Sequence, residues 1–167
     1  MSGEQFRIYT YPEQVLRLKA ETVDEISDEM REYLDRMVEF MYEADGVGLA
    51  APQIGDSRRI VVIDAGDGPV KIINPEIVKT GNDEEIVEEG CLSLPGFSVR
   101  VKRPVQISVT YTNENGKTVQ KELDGLGARA FQHEVDHLNG ILIIDHASST
   151  QRALLRSKLR KLEKENR

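Results

Sequence analysis

Leu126-Gly127-Ala128-Arg129-Ala130-Phe131-Gln132-His133-Glu134-Val135-Asp136-His137-Leu138 reads as one helix, closed by Asn139-Gly140, an ordinary C-terminal stop. Within it His133 and His137 stand four residues apart. On a helix that spacing puts both imidazoles on one face, about 6 Å apart along the axis, so both can reach one metal ion at roughly 2.1 Å. Glu134 lies beside them, placed to take a proton from water rather than to bind the metal. These are two of only three histidines in the chain. The plain alternative is a helix whose histidines fit the pattern by accident.

A catalytic metal usually has three protein ligands and one open position, so a third ligand is needed. The extended metalloprotease pattern continues through Leu138-Asn139-Gly140, but its third histidine is replaced here by Ile143, which cannot bind a metal. His146 is misplaced for that geometry. A glutamate on a later helix is the other familiar ligand, but the glutamates that remain, Glu163 and Glu165, lie in a basic tail. Cys91, in Glu89-Gly90-Cys91-Leu92-Ser93-Leu94-Pro95-Gly96, is the best candidate left. Alone it would read as a small buried hydrophobe. Its flanking glycine and nearby proline suggest a shaped loop, and a thiolate is a good ligand for zinc or iron(II).

A third segment is Gly46-Val47-Gly48-Leu49-Ala50-Ala51-Pro52-Gln53-Ile54-Gly55. Gly46, Gly48 and Ala51 fit a dinucleotide fingerprint, but the segment follows a helix and Pro52 blocks the helix that should come next. Close approach of backbone to a ligand suits small residues better, with Gln53 as a polar amide at the loop's end. A tight helix-to-strand connection is the bland alternative.

Around these segments the chain reads as α+β, a single domain over residues 1–167. Met30, Leu34, Met37, Val38 and Met41 make the apolar stripe of a helix over 27–44 with Ser27 as N-cap, ending near Ala44–Gly46. Strands are expected at Arg59–Asp64, Val70–Asn74, Ser98–Lys102, Val105–Thr112 and Thr118–Leu123, the last two joined by a hairpin at Asn113–Gly116. A C-terminal helix begins near Ser149, with Leu155, Leu159 and Leu162 as its stripe. The strands cluster instead of alternating with helices, giving antiparallel sheets around the histidine-bearing helix.

Composition narrows the classes further. The net charge of −7 argues against sequence-specific nucleic-acid readout, and no run of about 18 apolar residues marks a membrane span. The start, Met1–Thr10, shows no secretory signal, and one cysteine makes no internal disulfide, so the cytoplasm is the expected address. The charge is uneven: residues 151–167 carry about +5 and residues 1–150 about −12. A basic tail of that kind suits an anionic partner, or simply a solvated helix face.

Taken together, Gly46–Gln53, Glu89–Ser93 and Gln132–His137 resemble the three signatures of the peptide deformylase family, complete and in order. The resemblance implies hydrolysis of the formyl group from the N-terminal formylmethionine of new polypeptides. It assigns Cys91, His133 and His137 to one divalent ion, iron(II) in the family's usual form, although the same ligands accept zinc, nickel or cobalt. Glu134 would serve as general base and then general acid, with the Gln53 amide and the Leu92 backbone N–H as oxyanion donors. The peptide would lie extended along Gly48 in the first loop and Glu89 and Gly90 in the second. Val47, Val87 and Leu126, with the shaft of Arg129, are the expected pocket for the methionine side chain. Asp136 and Arg103 are expected to pair behind the metal helix, and the basic tail to meet the ribosome. Other readings are a different metallohydrolase of the endopeptidase kind, and a non-catalytic metal- or peptide-binding module.

Overall fold

Helix α1, Asp28–Glu43, forms where the apolar stripe demands it. Met30, Leu34, Met37, Val38 and Met41 are all buried, and the Ser27 hydroxyl accepts the Met30 N–H at 3.2 Å as the N-cap. The helix closes at Ala44, and Asp45 takes a left-handed conformation (φ +59°), which a short polar side chain tolerates. The chain then enters β1 (Gly48–Ala50), a short 3₁₀ turn (Ala51–Ile54) and β2 (Ile60–Ile63). The structure, a computed structural model, describes residues 5–165; residues 1–4 and residues 166–167 of the basic tail lie outside the described residues.

Next come β3 (Val70–Thr80), β4 (Glu84–Cys91), β5 (Leu94–Pro104), β6 (Gln106–Thr112) and β7 (Thr118–Asp124). Five strands form one antiparallel sheet in the order β1-β2-β3-β6-β7, and among the described residues β4 pairs with β5 alone. Helix α2 spans Gly125–Leu138 and α3 spans Ser149–Glu165. The architecture is α+β, as expected.

Two layers of side chains sandwich the large sheet. Ile60 and Val62 of β2 face α1, while Val61 and Ile63 face the other way, toward Phe131 and Leu138 of α2. All four are buried, so β2 is apolar on both faces, and each such side chain stabilises the fold by about 1.5–3 kcal/mol. The β4–β5 hairpin has its own core, where Leu94, Phe97, Val99 and Val101 meet Leu142, Ile143, Ile144 and Leu162. Ile143, which stands where a metalloprotease would carry a ligand, is thus a core residue.

Several boundaries differ from the sequence expectation. β3 continues six residues past Asn74, because Asn74 (φ +52°) and Pro75 sit at a bulge in its pairing with β6 instead of ending the strand. β5 runs from Leu94 to Pro104 rather than only Ser98–Lys102. β4 was absent from the expected strands: its acidic run lacks a full apolar alternation, and it forms by pairing with β5. At the other end of α2, the turn at Gly140 (φ +73°) passes so close to Arg17 that a Cβ would lie 2.6 Å from the Arg17 carbonyl oxygen. Among the described residues, no helix is long and apolar enough to cross a membrane.

Candidate active site

Helix α2 supplies the floor of a cleft of about 620 Å³, walled by the β1 segment on one side and by the β4–β5 hairpin on the other. Cys91, at the end of β4, joins His133 and His137 there. One ligand atom from each lies within 4.8 Å of the other two, the sole such cluster of metal-ligating residues among those described. The Cys91 Sγ is 3.3 Å from His137 Nε2.

The two imidazoles are held differently. His133 Nδ1 is 2.9 Å from Glu89 Oε1, which leaves Nε2 for the shared point. His137 is buried, and burial pushes its pKa well below the usual histidine value, so it stays neutral, the form that ligates. Its Nδ1 has no hydrogen-bond partner among the described residues. Burial also disfavours a charge on His133, yet the neighbouring Glu134 and the bonds to Cys91 and Glu89 hold its pKa above the usual value. A thiol and two imidazoles converging below an open cleft fit a divalent ion with one position left for another ligand.

Glu134 is buried beside them, 4% exposed, with its Oε1 unpartnered among the described residues. Burial raises its carboxyl to about 7, where it exchanges protons near neutral pH. Its position depends on Gly48. A Cβ at residue 48 would lie 2.5 Å from Glu134 Oε2 and 2.9 Å from its Cδ and Cγ. The small residue expected to let a peptide approach therefore also makes room for the carboxylate.

Gln53 is also buried. The Ala50 N–H donates to its Oε1 at 3.0 Å, which fixes the amide so that Nε2 donates to Ser93 Oγ at 3.2 Å and faces Cys91 Sγ at 3.7 Å. The first and second loops are thereby linked at the site, and Leu92 lines the cleft between them.

Behind the histidines lies a network that the sequence exposed only in part. The alternation of β5 buries Val99 and Val101 and then Arg103, which needs a carboxylate partner inside the protein. Arg103 donates to both oxygens of Glu89, at 2.7 and 2.9 Å, and to Asp136 at 2.9 Å. Arg129 donates to Glu89 at 2.6 Å and to the carbonyls of Val101 and Glu85. Burial alone would raise the Glu89 carboxyl, but the hydrogen bonds from Arg103 and His133 outweigh it and hold it far below the usual carboxylate range. The structure therefore gives the Glu89 side chain to His133 and the two arginines; what it can offer a peptide at the cleft wall is its backbone.

The remaining expected residues meet at the cleft mouth. Val47, Val87 and Leu126 line it and are 44%, 37% and 55% exposed, a cluster of apolar side chains open to solvent. Gly48, Gly90 and Arg129 line the same cleft.

Comparison with known proteins identifies the family. The model of the polypeptide deformylase family matches residues 5–153. A peptide deformylase from Thermotoga sp. (strain RQ2) is 50% identical over 154 residues, covering 92% of this chain and 94% of that one. The crystal structure of peptide deformylase from Thermotoga maritima superposes with a TM-score of 0.85 at 48% identity, covering 87% of this chain and 99% of that chain. A peptide deformylase from Synechococcus elongatus, crystallised with actinonin, superposes with a TM-score of 0.88 at 42% identity, over 96% and 87%. Sequence, fold and the three converging segments lead to one assignment: the chain belongs to the polypeptide deformylase family.

Proposed function

We propose that this chain hydrolyses the formyl group from the N-terminal formylmethionine of newly made polypeptides, releasing formate and a free α-amine. The observation that carries the reading is the buried Glu134 carboxylate, its Oε1 without a partner among the described residues, standing beside a Cys91–His133–His137 ligand set at the floor of an apolar-mouthed cleft.

A divalent ion held by Cys91, His133 and His137 would supply Lewis acidity, lowering the pKa of water and polarising the formyl carbonyl. The protein's own groups do the rest. Glu134 accepts the proton of the attacking water and passes it to the departing amine, a role that suits a carboxyl with a pKa of about 7. The Gln53 Nε2 and the backbone N–H of Leu92 donate to the oxygen on which charge develops, and the bond from Ala50 keeps the Gln53 amide correctly turned. Glu89 holds the His133 ring through Nδ1, while Arg103 and Arg129 hold Glu89.

Recognition follows from the walls. β1 is an edge strand of the large sheet and β4 pairs only with β5, so both leave backbone groups for an extended peptide. Main-chain contacts accept many sequences, which suits an enzyme that acts on many products. Val47, Val87, Leu126 and the Arg129 shaft receive the methionine side chain. Iron(II) is the native ion in this reading, with zinc, nickel or cobalt able to replace it. The setting is the cytoplasm, and the basic face of α3 meets the ribosome near the emerging chain.

The test is a substrate panel with iron(II)-loaded protein kept anaerobic: formyl-Met-Ala-Ser, acetyl-Met-Ala-Ser and casein. Formate release from the first, with little cleavage of the others, supports the reading. Internal cleavage of casein in place of formate release would make the chain an endopeptidase, and silence on all three would refute catalysis.

A further inference from the structure

His146, too far along the chain to complete the ligand set, ends the turn Ile143–His146 outside the cleft, with its side chain 30% exposed. Its Nε2 lies 2.9 Å from Asp136 Oδ2. The same oxygen accepts from Arg103 Nη1 at 2.9 Å. From there the bonds run inward through Arg103 to Glu89, and through Glu89 Oε1 to His133 Nδ1. Five side chains from four elements thus link a solvent-touching imidazole to a buried one.

The order of groups is imidazole, carboxylate, guanidinium, carboxylate, imidazole, so every bond joins a donor to an acceptor. Asp136 is the vulnerable joint. It is 21% exposed, and with Arg103 alone on Oδ2 its carboxylate could rotate toward water. A second donor on that oxygen, from an element beyond the helix, opposes the rotation. Asp136 also sits on α2 three residues after His133 and one before His137, so the pair of donors limits the roll of the helix that carries both imidazoles.

We propose that His146 is a positioning residue for the ion-binding helix: it holds Asp136 against Arg103, and through Glu89 keeps the His133 ring turned toward Cys91 and His137. This rests on the reading of those three residues as an ion site. Groups behind a metal ligand commonly change affinity by about 10–100-fold, and His146 stands several bonds further out, so a smaller effect of about three- to tenfold is expected.

The experiment is a chelator challenge on cobalt(II)-loaded protein, following loss of visible absorption after excess EDTA. His146→Ala should lose cobalt about three- to tenfold faster than the parent. His146→Gln, which keeps an N–H donor, should recover most of the difference. In an Asp136→Ala background, which removes the accepting oxygen, His146→Ala should add nothing further. Equal rates for the parent and His146→Ala, or an undiminished effect in the Asp136→Ala background, would overturn the proposal while leaving the ion site standing. A parent unable to take up about one cobalt per chain would instead overturn the ion site.

Discussion

Gly48→Ala adds one methyl group at a site with no room for it. The new Cβ would lie 2.5 Å from Glu134 Oε2 and 2.9 Å from Cδ and Cγ, whereas ordinary contact begins near 3.4 Å. The carboxylate oxygen would have to retreat by about 0.9 Å, the shortfall between those distances. Glu134 is buried, so it has little free space in which to re-seat. A misplacement of about 1 Å in catalytic machinery costs about 10²-fold in rate, or about 2.7 kcal/mol of barrier. We therefore expect Gly48→Ala to retain its fold and one ion per chain, and to lose about 10²-fold in kcat for formate release. Steady-state kinetics at matched ion content would measure it, beside a thermal melt. A variant within threefold of the parent in kcat would refute the reasoning. A rise in KM with kcat unchanged would mean that Gly48 serves the peptide backbone alone.

Other perturbations separate the parts of the site. Gln53→Ala should lower kcat by about 10²–10³-fold while ion content, by elemental analysis, stays at the parent's level. Arg103→Ala should destabilise the fold by about 3–5 kcal/mol in urea unfolding, because it leaves Glu89 buried with less compensation and takes the Arg103 partner from Asp136. The Arg17–Asp145 pair makes part of the stability pH-dependent. Burial opposes ionisation of Asp145, but the bond from Arg17 and the Leu142 N–H outweigh it, so its folded pKa lies below the ordinary 3.8. Its stabilisation is then complete above about pH 4 and disappears as pH falls through the lowered value. The gap in urea midpoint between the parent and Arg17→Met should accordingly be widest near neutrality and narrow below pH 3.8. A gap independent of pH would show that Arg17 acts only through its bond to the Gly140 carbonyl.

What the sequence disclosed was the chemistry carried by local spacing. Ser27 and the stripe from Met30 to Met41 are a helix because one turn repeats every 3.6 residues, and the same rule brought His133 and His137 together. Cys91 could be matched to them only by elimination and by motif, since nothing in the spacing between residues 91 and 133 says that β4 ends beside α2. β4 was missed because Glu84-Glu85-Ile86-Val87-Glu88-Glu89 gains its strand character from β5 across the hairpin, not from its own pattern. For the same reason Glu89 read as a peptide contact. Its pairing with Arg103, Arg129 and His133 joins β4, β5 and α2, and such a network is set by tertiary packing. The closeness of Gly48 to Glu134 is another contact between distant segments. Arg103 was the one network member with a usable signal, an arginine on the buried parity of an alternating strand.

The decisive measurement compares formate release by the parent and Glu134→Ala, each carrying one iron(II) per chain and kept anaerobic, on formyl-Met-Ala-Ser. Rapid turnover by the parent and near-silence from the variant, with equal iron in both, is the expected result. Comparable rates in the two proteins would contradict the assignment of Glu134 as the proton-transferring group on which the proposed chemistry depends.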